Sequence, residues 1–261
     1  MDMNIQEYYQ KAAASSLNAS LASLIPPFFL AVYGITIVQN GKVMIIMIPF
    51  LIYSFICYQF YLINDKRTKE IFMQEAVENH RLLDENQVLI TFLPAPTLKM
   101  LIFHSNGQQI GEIRDMNFWT FRWFLPYFID GLFKKRYGIY DQANHLVGSF
   151  ILKNKEIKIL DSDLNTVSTI HYNYSKSKSV YVFEKGNKRI QVKQSSSFTD
   201  YQFIHSNSVF GRFRKGWMPL EWGNRFKDPN TPIFTFEQSL SSKDKLLMYA
   251  ILTKLLRCSN H

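Results

Sequence analysis

Two segments place large aromatic side chains beside clustered cations, a combination that suits contact with a layer of lipid headgroups. The first segment is residues 118–136, FWTFRWFLPYFIDGLFKKR, which holds eight aromatic residues and ends in three consecutive cations. Amphipathic aromatic rings favour headgroup depth, and cations bind lipid phosphates. The residues predicted at headgroup depth are Trp119, Trp123 and Tyr127, and those predicted to bind lipid phosphates are Lys134, Lys135 and Arg136. The alternative is an insertion between hairpins whose aromatic rings complete a protein core.

The second segment is residues 212–222, RFRKGWMPLEW, in which cations alternate with or adjoin large apolar residues. We predict that Arg212, Arg214 and Lys215 bind a phosphate-bearing headgroup. Gly216 would let backbone N–H groups approach the same anion. The alternative is a solvated strand edge, because charges on edge strands also prevent aggregation.

Catalytic motifs are missing from the sequence: it has no nucleophile elbow, P-loop, metalloprotease helix or dinucleotide fingerprint. Its two cysteines are far apart and its six histidines show no ligand-like spacing, so neither a metal nor a cofactor is predicted. We interpret four of the histidines as surface residues in or beside turns and strands: His104, His145, His171 and His205. A non-catalytic binding or structural role is therefore favoured.

The elements that position these segments begin with a membrane anchor. No charged residue occurs from Ala12 to Gly41 or from Val43 to Asn64, and Lys42 alone separates the two runs. Each run reaches the roughly 20 residues that a helix needs to cross the hydrocarbon layer. We predict a two-helix transmembrane hairpin over residues 19–63, with helices near Ala19–Gln39 and Val43–Ile63. Residues 1–18 form an N-terminal segment.

The flanking charges predict how this hairpin is oriented. Asn40-Gly41-Lys42 is a tight-turn sequence, so both ends of the hairpin lie on one side of the membrane. Three cations follow the second helix, at Lys66, Arg67 and Lys69, whereas the turn holds only one. The positive-inside rule then predicts a multi-pass protein of the cell membrane with its large domain in the cytoplasm. A cleaved signal peptide is disfavoured, because residues 1–11 hold two acids against one lysine.

Charge narrows the choice of partners. The formal net charge is +9, and the two cations and two acids before residue 64 cancel, so residues 64–261 carry the whole excess. Each cation near an anionic leaflet contributes about 1 kcal/mol of attraction. The predicted partners are the lipid bilayer and anionic phospholipid headgroups, with an unidentified protein as the alternative. Basicity for solubility alone also remains open. A nucleic-acid partner is disfavoured by the membrane tether, and a lipid-modifying enzyme is the weakest reading.

The rest of the chain has a helical connector and a β-rich domain. Residues 64–85 mix charges with apolar side chains and contain neither Gly nor Pro, which predicts a helix continuing from the anchor. Residues 86–261 consist of short β-branched and aromatic runs separated by turn residues. This texture predicts one β domain.

Internal repeats organise that domain. Residues 101–113, 138–150 and 158–170 align without gaps, and residues 181–192 form a shorter fourth version. Each unit reads as a strand, a turn rich in Asn, Asp or Gly, and a returning strand. Hairpins in series that close on themselves remove exposed edges and create an interior that must be filled.

The last segment supplies a filler for this interior. Residues 241–257, SSKDKLLMYAILTKLLR, begin with N-cap chemistry and are apolar on nearly every side from Leu246 to Leu252. The uncharged stretch is too short to cross a bilayer. The predicted fold is mainly β: a closed antiparallel β-barrel of hairpin repeats around a C-terminal hydrophobic helix, preceded by a transmembrane α-helical hairpin.

Repeated hairpins that end in one hydrophobic helix resemble the tubby C-terminal-like superfamily, which includes LURP-one-related proteins and phospholipid scramblases. The resemblance covers roughly residues 86–257 and is strongest at Ile139-Tyr-Asp, Val147-Gly-Ser-Phe150 and the C-terminal helix. It implies a barrel of about a dozen strands around a central helix, headgroup binding at a basic surface, and membrane association. The N-terminal anchor departs from the scramblases, and no acidic calcium loop is present, so calcium-dependent scrambling is not expected. A pleckstrin-homology-like barrel of about seven strands with a capping helix is the alternative.

Overall fold

The computed structural model describes residues 3–38, 41–71, 80–95, 97–117, 135–153, 155–175, 180–186, 188–195, 200–216 and 218–259. The chain divides into two compact units. The helical unit comprises Ile5–Met73, and the barrel unit comprises Met1–Asn4 with Gln74–His261.

The helical unit contains helices α1 (Ile5–Ser23), α2 (Ile25–Tyr33) and α3 (Ile48–Lys69), with a π-helical turn at Gly34–Val38 and a 3₁₀ segment at Gly41–Met47. The helix is interrupted at Leu24, between α1 and α2. Two prolines occupy the first turn of α2. Proline is tolerated at that position because its missing N–H would have no intrahelical acceptor there.

Small polar side chains join α1 to α3. The hydroxyl of Ser20 lies 3.0 Å from that of Ser54, and each hydroxyl also lies 3.0 Å from the main-chain oxygen of the other serine. Gln6 donates from Nε2 to the main-chain oxygen of Thr68 at 3.1 Å. These contacts pair the start of α1 with the end of α3, so the two helices run antiparallel. Serine is well suited to this position, because a small side chain allows close helix approach and satisfies its own hydroxyl.

Two helical stretches, Ile5–Ile37 and Met44–Lys69, are long and apolar enough that they could span a membrane, judged by length and composition. Their large side chains are exposed: Phe28 is 65% exposed, Ile37 68% and Phe55 62%. Such a surface fits contact with lipid better than the core of a soluble domain. The first helix starts well before the predicted Ala19. Within the predicted connector α3 extends to Lys69, residues 72–79 lie outside the described residues, and residues 80–86 form turn and coil.

The described residues of the barrel unit form twelve strands, one 3₁₀ segment at Leu220–Asn224 and one long helix. The strands are β1 Gln87–Phe92, β2 Met100–Phe103, β3 Gln109–Asp115, β4 Lys135–Asp141, β5 Leu146–Leu152, β6 Glu156–Leu160, β7 Thr166–Ser175, β8 Val180–Lys185, β9 Lys188–Gln194, β10 Asp200–His205, β11 Ser208–Arg214 and β12 Ile233–Phe236, and the helix is α4, Ser242–Ser259. Each strand pairs antiparallel with its neighbours in sequence, and β1 pairs with β12 to close the barrel. The predicted closed antiparallel barrel is confirmed, and the seven-stranded alternative is wrong.

Helix α4 fills the barrel, as predicted. Every side chain from Leu247 to Thr253 is fully buried. The side chain of Ser241 caps the start of the helix: the amide N–H of Asp244 donates to Ser241 Oγ at 3.2 Å, and Ser241 Oγ donates to Asp244 Oδ2 at 3.0 Å. A helix that is apolar all round is stable only when it is buried on all sides, and the closed barrel provides that environment.

Four hairpins share a β-bulge at the same position of the repeat. The strand register shifts in the pairs β2–β3, β4–β5, β6–β7 and β10–β11. The extra residues are Ile110, Val147, Val167 and Phe210, and a small residue follows each: Gly111, Gly148, Ser168 and Gly211. A bulge bends the strand locally, which helps a sheet to close into a barrel. The β10–β11 hairpin therefore belongs to the repeat, which its sequence did not reveal.

The small residue after the bulge lets the interior side chains reach the barrel wall. A Cβ atom built on Gly148 would lie 3.1 Å from Leu246 Cδ2, and one built on Gly111 would lie 2.9 Å from Leu82 Cδ2. The repeated glycine thus serves packing.

The barrel has two ends, which we name from the direction of α4. The entry end, where α4 begins, carries the turns that close the five hairpins from β2–β3 to β10–β11; the exit end lies where α4 finishes. Lys188 pairs with Asp244 at 2.7 Å at the entry end. Both chain segments that continue into the helical unit lie at the entry end. Asn4 forms a β-bridge with Gln108, and the segment from His80 leads directly into β1.

Candidate functional site at the exit end of the barrel

The two predicted cation clusters lie at the same end of the barrel but on different walls. Lys135 and Arg136 start β4, whereas Arg212 and Arg214 end β11 and Lys215 follows it. Because β4 starts and β11 finishes at the exit end, both clusters lie there. Six strands separate β4 from β11 on one side and four on the other, so the structure does not merge them into one patch.

The alternation of side chains along β4 and β11 directs the arginines of both clusters outward. Tyr137 and Phe213, their neighbours in sequence, are buried in the core, so Arg136, Arg212 and Arg214 point to the outer wall. Lys215 is exposed. Lys134 and the three aromatic residues predicted at headgroup depth, Trp119, Trp123 and Tyr127, lie outside the described residues.

Arg212 is held by a carboxylate on the neighbouring strand. Its Nε donates to Asp200 Oδ1 at 2.9 Å, and a terminal nitrogen donates to Asp200 Oδ2 at 2.5 Å. This two-point hydrogen bond raises the pKa of Arg212. Its charge is therefore balanced within the fold, which leaves Arg214 and Lys215 as the stronger candidates for an external anion.

The structure adds cations that the sequence reasoning missed. Lys153 and Lys155 are exposed in the turn between β5 and β6. Lys254, in the last turns of α4, donates to the main-chain oxygen of Lys153 at 3.3 Å and lies 4.8 Å from the centre of the Tyr172 ring. The sequence did contain a signal for these cations. Lys153 and Lys155 lie in a turn between two strands of the repeat, and Lys254 lies near a helix C-terminus, where a cation is favourable.

Two acids at the exit end, Glu156 and Asp200, are engaged by neighbouring cations. Glu156 lies 2.7 Å from Lys153 and 3.8 Å from Lys158, and the hydrogen bond from Lys153 lowers the pKa of Glu156. The entry end differs in charge. Its turns and the segment before β1 carry acidic residues: Asp84, Glu85, Asp141, Asp161 and Asp163. Exposed cations lie among these acids at Arg81, Arg189 and Lys243, so the entry end carries mixed charge, and the exit end carries the cationic surface.

A second group of side chains lies at the entry end, where no site was predicted. Glu85 Oε1 lies 2.9 Å from His80 Nδ1, and Glu85 Oε2 lies 3.6 Å from His104 Nε2. The two imidazole rings stack with centres 3.7 Å apart and planes 17° apart. The three side chains are 16–21% exposed, so His104 is half-buried against partners. Sequence spacing missed this group because His104 comes from a hairpin turn and the other two residues precede β1.

Buried polar groups of α4 lie beside this group. Lys245 is 3% exposed and donates to the main-chain oxygens of Asp84 at 3.1 Å and Glu85 at 2.9 Å, and to Asn86 Oδ1 at 3.0 Å. Burial lowers the pKa of Lys245. One turn further on, burial and then the charge of Glu85 raise the pKa of Tyr249. The start of α4 therefore fixes the main chain that carries Glu85.

The fold defines the class of the protein as a closed twelve-stranded barrel filled by its own C-terminal helix. A comparison with solved structures finds an Arabidopsis thaliana protein determined by X-ray crystallography, with 9% sequence identity and a TM-score of 0.36 over 66% of this chain and 92% of that one. A similarity this low transfers no function. No protein-family model matches the chain, and no curated protein matches it in sequence.

Proposed function

We propose that this chain is a membrane-anchored, non-catalytic module of the cell membrane. The helical unit forms the transmembrane hairpin, and the barrel unit lies on the cytoplasmic side. Two observations support the anchor: the exposed apolar side chains of α1 to α3, and the three cations that end α3 against the single lysine between the helices.

The proposal includes membership of the tubby C-terminal-like superfamily. The support is architectural, since twelve antiparallel strands surround one buried C-terminal helix. Because α4 occupies the interior, recognition takes place on the outer surface of the barrel.

The functional part of the proposal is that the basic exit end of the barrel binds the phosphates of anionic lipid headgroups. The single observation behind this is the collection of Lys135, Lys155, Arg214 and Lys215 at one end, where Glu156 and Asp200 are already paired within the fold. Each cation near an anionic surface contributes about 1 kcal/mol.

An acidic protein surface is the second candidate partner, and the presence of an arginine among the exit-end cations favours it. The planar guanidinium of Arg214 matches a carboxylate through two parallel hydrogen bonds, as it does a phosphate.

Sedimentation of the full chain with vesicles tests both candidates. The protein is held in nanodiscs of neutral lipid and mixed with anionic or neutral vesicles at two salt concentrations. We compare the wild type with Lys135→Ala, Lys155→Ala and Lys215→Ala combined. The matched control combines Arg81→Ala, Arg189→Ala and Lys243→Ala, three exposed cations at the entry end.

We expect the wild type to pellet with anionic vesicles, and the exit-end variant to lose up to about 3 kcal/mol of attraction at low salt. The entry-end control should bind like the wild type. If the wild type pellets equally with neutral and anionic vesicles, the lipid contact is wrong and an acidic protein partner is the better proposal.

A further inference from the structure

We infer that His80, Glu85 and His104 form a binding site for a divalent metal ion of the zinc type at the entry end of the barrel. This site is separate from the cationic surface at the exit end, and the inference does not depend on the proposed function. One ligand atom from each of the three residues lies within 4.8 Å of the others.

The ligand types fit such an ion. Imidazole nitrogen and carboxylate oxygen bind zinc at about 2.0–2.2 Å, and two histidines with one glutamate leave a fourth position for water or another ligand. The Glu85 carboxylate already contacts both rings, through Oε1 at 2.9 Å from His80 Nδ1 and through Oε2 at 3.6 Å from His104 Nε2. The ligand atoms lie within 4.8 Å of one another, so rotation of the three side chains brings them to one ion once the rings separate.

The position of His104 in the hairpin repeat explains why one of its ring nitrogens faces Glu85. In two other hairpins this position is an aspartate that accepts N–H groups of its own turn: Asp141 accepts from His145 N at 2.7 Å, and Asp161 from Asn165 N at 2.8 Å. In the β2–β3 turn, His104 Nδ1 performs the same role towards Asn106 N at 3.3 Å. The second ring nitrogen is thereby directed at Glu85, which an aspartate could not achieve.

Binding must change two features of the group. Parallel rings 3.7 Å apart cannot both hold one ion in their planes, so the ion separates the stack. Binding at His104 Nε2 also moves the ring proton to Nδ1, which breaks the long contact with Asn106. Both contacts are weak, and metal binding to histidine normally displaces protons.

The surrounding charges tolerate the ion. The ammonium group of Lys245 is occupied by the main-chain oxygens of Asp84 and Glu85 and by Asn86 Oδ1. Asp84 adds a negative charge on the same segment. The ion would tie the segment before β1 to the β2–β3 turn, whose Gln109 N donates to the main-chain oxygen of Met3 at 3.0 Å. Occupancy would therefore stiffen both chain connections to the helical unit.

Calorimetric titration of the full-length protein with Zn²⁺ tests the inference. The protein is purified in detergent and first freed of metal with a chelator. The variants are Glu85→Gln, which keeps the shape of the side chain, and His104→Gln. His205→Gln is the matched control, because His205 begins the β10–β11 turn with the same His-Ser-Asn sequence but contacts the main-chain oxygen of Arg189 at 2.8 Å.

We expect saturable binding of one Zn²⁺ per chain and a Tm that rises with Zn²⁺ and falls again with chelator. Both site variants should lose about tenfold or more in affinity, the loss seen even when supporting partners of metal ligands are removed. The control should bind like the wild type. Absence of saturable binding in the wild type, or an unchanged affinity in Glu85→Gln, overturns the inference. The wild-type titration decides the matter even if a variant does not fold.

Discussion

Met248 of α4 lies directly over Gly211 of β11, so that a Cβ atom at residue 211 would be 2.0 Å from Met248 Cε. This pair joins the filler helix to the barrel wall at the bulge of the β10–β11 hairpin. At this bulge the absence of a side chain at residue 211 leaves the space that Met248 fills.

Substituting these glycines should destabilise the barrel to different degrees. Gly211→Ala forces Met248, a flexible side chain, to move and should cost about 1–3 kcal/mol. Gly111→Ala should cost more, because its Cβ would lie 2.7 Å from the main-chain oxygen of Tyr140, which cannot rotate away. Denaturant unfolding measures both. Gly223→Ala is the control, since a Cβ atom added at Gly223 would have no neighbouring atom within 4 Å. Equal stability of all three variants would contradict this account of the bulge.

Removing α4 should prevent the barrel from folding. A chain ending at Leu240 lacks the buried residues Leu247 to Leu252, each worth about 2–5 kcal/mol when a large apolar side chain is lost, against a total stability of about 5–15 kcal/mol. Thermal unfolding followed by near-ultraviolet circular dichroism gives the readout. A cooperative transition in the truncated chain would show that the strands hold together without their filler.

Tyr249→Phe should stabilise the barrel. The Tyr249 hydroxyl is fully buried and has no hydrogen-bond partner among the described residues, so its removal should raise the free energy of unfolding by about 1 kcal/mol. Chemical denaturation at neutral pH measures the change. A loss of stability would instead mean that the hydroxyl makes a favourable contact.

The same residue should also shape stability at high pH. Burial raises the pKa of Tyr249, so the unfolded chain releases this proton near pH 10 while the folded chain keeps it. The contribution is intact below pH 10 and declines above it by about 1.4 kcal/mol per pH unit. The difference between wild type and Tyr249→Phe, followed from pH 8 to pH 11, isolates this effect from that of other tyrosines. A constant difference would contradict it.

Arg212 and Asp200 should act as a structural pair. Arg212→Ala and Asp200→Asn should each lower stability, and a double-mutant cycle should give a coupling of about 0.2–1 kcal/mol that decreases with salt. Because the charge of Arg212 is balanced, Arg212→Ala should reduce vesicle binding less than Lys215→Ala does. A larger loss for Arg212→Ala would place the anion on Arg212 itself.

Much of the architecture was predictable because it is encoded in local patterns. Alternating strands with Asn, Asp and Gly turns gave the hairpins, and the all-round apolar stretch from Leu246 to Leu252 gave the filler helix. The unit at residues 181–192 was aligned with the repeat, yet β8 and β9 pair without a bulge, whereas the unrecognised β10–β11 hairpin has one. Bulges depend on strand register, which a short degenerate motif does not specify.

The sequence by itself determined the barrel, its filler and the apolar helices, because burial and chain direction follow from the spacing of apolar and turn residues. Only the tertiary structure decided which distant residues meet. Barrel closure and antiparallel strands put Lys135 and Lys215 at one end on separate walls. The pairing of β10 with β11 places Asp200 beside Arg212, and the pairing of β1 with β2 brings His104 onto Glu85 and His80. Such contacts join residues far apart in the chain, and their positions follow from strand order and register, which no local spacing records.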